Sequence, residues 1–313
     1  MPDWKILLTD GLQNNGQAIL NSAAHVDDRD GISGDDLLKV AGNYDAFIVR
    51  GRTKVSAAVI KAAPCLKVIG RVGVGVDNID LQAASEYGVT VVNTPTATSL
   101  SVAELTIGLL FALARSIPQA DSSMKNSVWI KKQLRGVELN GKTLGVIGLG
   151  NIGSLVAGRA ASLGMEVIGY DISLTDDEMR RRDAHPVPLS ELYTRSDFIS
   201  IHTPLTAETR GMIDVNALSQ MKPGVRLVCT ARGGIIDEDA LLASLESGQV
   251  AGAALDVFAQ EPPGLTAFIN HPSVIATPHI GAQTAEAQTR AAAFIADEVL
   301  AALRGEPLRW KVV

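Results

Sequence analysis

Gly148-Leu149-Gly150-Asn151-Ile152-Gly153 decides the fold of this chain, because of what stands on each side of it. Lys142-Thr143-Leu144-Gly145-Val146-Ile147 reads as a short buried strand. Ile152 to Ala157 opens a helix, and Gly164 to Asp171 returns as a second strand that ends on a carboxylate. A Gly-x-Gly-x-x-Gly pattern alone is a weak signal. Between a strand and a helix, with an acid roughly twenty residues further on, it marks a dinucleotide-binding turn. The alternative is a glycine-rich turn in an α/β protein that binds nothing.

Each residue of the turn has a physical task. Gly148 allows the tight exit from the strand, Gly150 lets the backbone approach a pyrophosphate, and Gly153 lets the helix lie close to the sheet. The helix start at Asn151 and Ile152 offers unpaired N–H groups and a partial positive charge to phosphates. Asp171 is placed to accept from the adenosine ribose hydroxyls and to repel a 2′-phosphate, and Ile172 and Ser173 add no cation. The expected cofactor is therefore NAD rather than NADP.

The rest of the chain agrees with such a protein. Its 313 residues are enough for two α/β domains, and its net charge of −6 argues against nucleic acid as a partner. Cys65 and Cys229 lie in apolar, strand-like surroundings and are expected to be reduced core residues, with no neighbour at metal-ligand spacing. No metal site is expected. Asp3, Lys5 and Asp10 interrupt the N-terminus, so no secretory segment is read. The longest apolar run, Leu105 to Ala114, is too short to span a bilayer. No membrane partner and a cytoplasmic location are expected.

Strand and helix patterns alternate, which predicts parallel sheets covered by helices. The fold class is α/β, with two doubly wound parallel-sheet domains: a Rossmann NAD-binding domain inserted into a flavodoxin-like substrate domain. Strands are expected at Ile6–Thr9, Ala46–Val49, Leu66–Ile69 and Val89–Val92, then after the glycine turn at Asp197–Ile201, Val225–Thr230, Val250–Asp256 and Val274–Thr277. Ser99 opens a long apolar helix, and Ala285 to Leu303 forms a final Ala-rich one. If that last helix packs back on the first domain, residues 1–97 and 283–313 form the discontinuous substrate domain and residues 98–282 the NAD-binding domain.

Few residues can exchange a proton. His279 follows a strand end in Thr277-Pro278-His279, at the edge where doubly wound folds bind ligands, and an imidazole suits proton exchange with an alcohol near neutral pH. Glu261, on the preceding loop, is the carboxylate available to orient it. Both also fit plain structural roles, and His202, which likewise ends a strand, is the rival base. His25, His185 and His271 sit in polar or turn contexts, where a surface role is the default. Arg232, followed by two glycines just past a strand, suits a bidentate grip on a carboxylate, or a surface ion pair. Asp256 closes another strand and would accept from the nicotinamide amide or cap a turn. In Gly70-Arg71-Val72-Gly73-Val74-Gly75 a second fingerprint is incomplete; the Val74 and Gly75 N–H groups would instead form an anion nest. Arg50, Arg52 and Lys54 follow the Phe47-Ile48-Val49 strand and would attract an anionic substrate.

These residues together resemble the D-isomer-specific 2-hydroxyacid dehydrogenases, most nearly their phosphoglycerate-oxidising branch without regulatory domains. The resemblance runs from Val49-Arg50 to the last helix through Gly73 to Asn78, Asn93-Thr94-Pro95, Gly148 to Gly153, His202-Thr203-Pro204-Leu205, Ala231-Arg232-Gly233-Gly234, Ala254 to Phe258 and Pro278 to Ala282. It implies catalytic roles for Arg232, Glu261 and His279, and demotes His202 to a cofactor-loop residue. It implies cofactor contacts from Gly148, Gly150, Asn151, Ile152, Gly153, Asp171, His202, Thr203, Pro204, Thr230, Ala231, Arg232, Asp256, His279 and Gly281. Substrate contacts fall on Arg50, Gly51, Val74, Gly75, Asn93, Arg232 and His279. Gly51 stands where the family usually carries a serine, a lost hydroxyl beside the substrate.

The implied reaction is NAD-dependent oxidation of a small anionic D-2-hydroxy acid, D-3-phosphoglycerate first. Alternatives are reduction of hydroxypyruvate or glyoxylate, action on a sulfolactate-type analogue, or an NADH-sensing corepressor on the same fold. The long helix from Ser99 resembles the family's dimerisation arm, so a homodimer is expected. Control by serine through a regulatory domain is not.

Overall fold

The computed structural model describes residues 4–313; Asp3, named above, lies outside them. These residues divide into two compact units, one running to Thr98 and resuming at Ala282–Val313, the other spanning Ser99–Gly281.

In the first unit, β1 (Lys5–Leu8), β2 (His25–Asp28), β3 (Ala46–Val49), β4 (Val68–Arg71) and β5 (Thr90–Asn93) form one parallel sheet in the order β2-β1-β3-β4-β5. That is the flavodoxin-like order, with its switch point between β1 and β3. The inner strands read as unbroken apolar runs because both of their faces are covered: all four residues of β3 are buried. Helix Ala285–Arg304 covers this sheet, with Ala291, Ile295 and Val299 inward at spacings of about one turn. It approaches so closely that a Cβ on Gly70 of β4 would stand 2.5 Å from Val299 Cγ2. The expected strand at Leu66 begins two residues later, because Leu66 N–H closes a turn onto Ala63 after Pro64. That turn leaves Cys65 exposed, not in the core as its apolar neighbours suggested.

In the second unit, β6 (Thr143–Ile147), β7 (Glu166–Tyr170), β8 (His185–Pro186), β9 (Phe198–Ile201), β10 (Val225–Cys229), β11 (Val250–Leu255) and β12 (Val274–Ala276) form a second parallel sheet. Its order, β12-β11-β10-β9-β6-β7-β8, is the Rossmann order extended by one strand, with the switch point between β6 and β9. The two-domain α/β class read from the sequence is what the chain forms. His25 and His185 are exposed, the surface role expected of them, and open the edge strands β2 and β8.

Helix Ser99–Arg115 packs on this sheet with Val102, Ala103, Thr106, Leu109, Leu110 and Leu113 buried. Among the described residues no single helix is long and apolar enough to cross a membrane.

Candidate active site

The glycine turn lies at the switch point of the second sheet, where β6 ends at Ile147 and helix Asn151–Ser162 begins. Gly148 has φ +87°, which an L side chain resists, and a Cβ there would lie 2.9 Å from the His202 carbonyl carbon. A Cβ on Gly153 would lie 1.9 Å from Gly148 O, so the helix reaches the strand only because that atom is missing. Around Gly150 a Cβ would meet nothing within 4 Å: the space above the helix start is open. Asp171 accepts from Leu149 N–H at 2.8 Å and from Ser173 N–H at 2.8 Å, which fixes its carboxylate beside the turn. Arg182 donates to Leu149 O, so both backbone polar groups of Leu149 are held.

His202 and Thr203 follow β9 against this turn. His202 Nε2 lies 2.7 Å from Ser200 Oγ, while its Nδ1 and Thr203 Oγ1 are buried without a hydrogen-bond partner among the described residues. Burial pushes the His202 imidazole down to about 3, so it is neutral and cannot serve as a base cycling near pH 7. Two orphaned polar atoms beside an open, glycine-lined helix start fit a dinucleotide that would satisfy them.

Glu261 and His279 meet: His279 Nδ1 lies 2.7 Å from Glu261 Oε2, and Glu261 Oε1 accepts from Phe258 N–H at 3.1 Å. Burial pushes the Glu261 carboxyl up, but it is outweighed by the hydrogen bond and charge of His279, the Phe258 N–H and the charge of Arg232, so Glu261 sits below the ordinary carboxylate range. Arg232 thus acts on the same carboxylate, and the structure brings all three residues together. Its Nη1 also donates to Ala231 O at 2.6 Å. Gly233 lets the arginine loop touch the next one, since a Cβ there would stand 1.8 Å from Phe258 O.

His279 has φ +53°, an unfavourable conformation for a side chain other than glycine or asparagine. Asp256, 1% exposed, holds it there. Its carboxylate accepts from Thr277 Oγ1 at 2.6 Å, Ile280 N–H at 2.8 Å and Gly281 N–H at 2.8 Å. Of the two tasks expected of Asp256, capping the turn is the one its hydrogen bonds perform. Thr230, 7% exposed, turns its hydroxyl to Thr106 at 2.9 Å.

The remaining candidates lie in the first unit, at the ends of β3, β4 and β5. Asn78 Nδ2 donates to Arg50 O and Thr53 O, and Asn93 Nδ2 to Val74 O at 2.7 Å. Thr94 and Gly73 exchange two bonds, Gly73 N–H to Thr94 Oγ1 at 2.8 Å and Thr94 N–H to Gly73 O at 3.0 Å. Arg50, exposed Gly51, Val74, Gly75 and Asn93 are therefore tied into one cluster of loops. Arg50 donates to Gln288 Oε1, and Gln288 Nε2 to Ala282 O at 2.7 Å. Arg52, expected to attract substrate, is instead neutralised by Asp10 and Asp30, at 3.1 and 2.8 Å. Asp10, which also accepts from Arg50 N–H and Thr53, and Gln288 were not expected at the site from the sequence. Asp10 had a signal, its place just past β1. Gln288 had none, being a polar residue on a long helix.

Comparison with known proteins agrees with this geometry. Residues 107–281 match the family model described as D-isomer specific 2-hydroxyacid dehydrogenase, NAD binding domain. The D-3-phosphoglycerate dehydrogenase of Homo sapiens is 47% identical over 305 residues, 97% of this chain and 57% of that protein. That of Methanocaldococcus jannaschii is 47% identical over 303 residues, 96% of this chain and 58% of that protein. A glyoxylate reductase structure from Paecilomyes thermophila superposes with a TM-score of 0.92 at 32% identity, covering 100% of this chain and 99% of that one. The chain belongs to the D-isomer-specific 2-hydroxyacid dehydrogenase family. NAD is its coenzyme, and the second unit is the family's NAD-binding domain. The chain spans somewhat more than half the length of the curated relatives it matches.

Proposed function

We propose that this protein is an NAD-dependent dehydrogenase that oxidises D-3-phosphoglycerate at C2 to 3-phosphohydroxypyruvate. The observation that carries the chemistry is the 2.7 Å contact between His279 Nδ1 and Glu261 Oε2, with the charge of Arg232 acting on the same carboxylate. Held by Glu261, Nδ1 keeps its proton, which leaves Nε2 as the basic nitrogen. His279 Nε2 takes the C2 hydroxyl proton, and the oxygen becomes a carbonyl as C2 loses its hydrogen. Bound NAD supplies the hydride acceptor. Arg232 grips the substrate carboxylate through its planar fork and polarises the C2 oxygen. Gly148, Gly150, Asn151, Ile152 and Gly153 would hold the pyrophosphate, Asp171 the adenosine ribose, and His202 to Pro204, Thr230, Ala231 and Gly281 the rest of the coenzyme.

The substrate follows from the curated relatives, which carry the phosphoglycerate name at 47% identity, and from Arg50, a cation at the end of β3. We place Val74, Gly75 and Asn93 at the substrate carboxylate. A second reading, reduction of glyoxylate or hydroxypyruvate, is favoured by the solved reductase at 32% identity and by Gly51, which leaves one hydrogen bond fewer for a larger acid.

We further place the protein in the cytoplasm as a homodimer serving serine biosynthesis. Two free cysteines suit a reducing compartment. Ile117, Met124, Val128 and Trp129, exposed at 51, 58, 50 and 76%, supply an apolar face for a second copy.

The test is an initial-rate screen following NADH absorbance over phosphorylated, sulfonated and plain D- and L-2-hydroxy and 2-oxo acids. D-3-phosphoglycerate should give the highest kcat/KM. Faster glyoxylate or hydroxypyruvate reduction would select the second reading, and coenzyme binding without any turnover would leave a corepressor.

A further inference from the structure

Helix Ser99–Arg115 is apolar along its buried side except for hydroxyls, and two of these reach the loops that carry Arg232 and His279. Ser101 is 4% exposed and its Oγ donates to Gly281 O at 2.6 Å, two residues beyond His279. Thr106 is fully buried and its Oγ1 donates to Val102 O at 2.9 Å. Having one proton, it must therefore accept from Thr230 Oγ1, also at 2.9 Å and two residues before Arg232. Gly281 is thereby fixed from both sides, its N–H by Asp256 and its carbonyl by Ser101. Val102, between the two hydroxyls, lies close enough that a Cβ on Gly281 would stand 3.3 Å from it.

Neither hydroxyl helps the helix. Alanine is the better helix former at 101, and valine fills the volume of threonine at 106 without a polar atom to satisfy. What they do is tie two loops from different strand ends, after β10 and after β12, to a single rigid element. Five residues separate them, about 7.5 Å along the helix axis.

We propose that Ser101 and Thr106 are positioning residues: through Gly281 and Thr230 they set the distance between the His279 imidazole and the Arg232 guanidinium. The inference rests on the reaction proposed above. It follows from the steepness of oriented catalysis, in which a misplacement of about 1 Å costs on the order of a hundredfold in rate. Either loop, released from the helix, keeps its own side chains but loses their mutual registration.

The experiment compares Ser101→Ala, Thr106→Val and Thr106→Ser with wild type in the NADH-absorbance assay. Coenzyme affinity is read by NADH fluorescence and folding by circular dichroism melting. Ser101→Ala and Thr106→Val should each lower kcat roughly tenfold or more, a larger factor than any loss of NADH affinity, while the melting midpoint moves by only a few degrees. Thr106→Ser keeps the hydroxyl and loses a methyl group, so it should restore most of kcat. Full activity in Ser101→Ala and Thr106→Val, or a Thr106→Ser variant as slow as Thr106→Val, overturns the proposal while leaving the reaction standing. A wild type that turns over none of the 2-hydroxy acids overturns the reaction and this inference with it.

Discussion

Acidification should destabilise the second unit in part through His202. Burial holds this imidazole neutral, at about 3, whereas in the unfolded chain a histidine titrates near 6.5. Between those two values the unfolded state carries a proton that the folded state does not, so stability rises with pH across that window and falls as the solution is acidified through it. Above about 6.5 the residue contributes no slope. From pH 7.5 down to pH 5 the loss is about 1.5 units at 1.36 kcal/mol each, or about 2 kcal/mol. Other groups titrate in the same range, so the quantity to measure is a difference: urea unfolding of wild type and His202→Asn, followed by far-ultraviolet circular dichroism at pH 7.5, 6 and 5. Relative to its value at pH 7.5, the wild-type stability should fall about 2 kcal/mol further than that of the variant by pH 5. Parallel pH dependences would refute the reasoning and mean that the ring is solvated or paired with an acid.

Three further outcomes follow from single contacts. Because burial raises the Cys229 thiol to about 11 while Cys65 is exposed, a thiol reagent at pH 8 should label one cysteine in the native protein and two after unfolding. Two labelled in the native state would contradict the buried position of Cys229. Gly153→Ala should abolish measurable NADH binding and lower the melting midpoint, since its Cβ would fall 1.9 Å from a backbone oxygen that has no room to retreat; unchanged affinity would place the coenzyme elsewhere. Glu261→Gln should cut kcat about 10²- to 10⁴-fold in a pH-rate profile, with NADH affinity unchanged, because a neutral amide no longer holds the His279 tautomer and charge; wild-type kcat would show that Glu261 is a loop acid only.

Much of this molecule was legible in its sequence, and each part that was not has its own physical reason. β6, the glycine turn and β7 announced themselves because apolar runs and obligatory glycines are local signals. The edge strands β2 and β8 did not, because His25-Val26-Asp27-Asp28 and His185-Pro186 have at least one open side and need no apolar run. Position past a strand made Arg232, Glu261 and His279 candidates and left His202 as a rival; it was the resemblance to the dehydrogenase family that joined the three. Their meeting at one carboxylate is tertiary. So is the neutralisation of Arg52, since nothing near it in sequence reveals that Asp10 and Asp30 fold against it. Ser101 and Thr106 were invisible for the opposite reason: a hydroxyl on an apolar helix is ordinary until its partner is seen.

The central claim, that His279 exchanges the proton of a 2-hydroxy acid while NAD is bound independently of it, is tested most directly by His279→Ala. Initial rates with D-3-phosphoglycerate should fall about 10²- to 10⁴-fold, with the NADH dissociation constant unchanged by fluorescence titration. An equal loss of turnover and coenzyme affinity would assign the imidazole to coenzyme binding or folding, and an undiminished rate would remove it from the chemistry altogether.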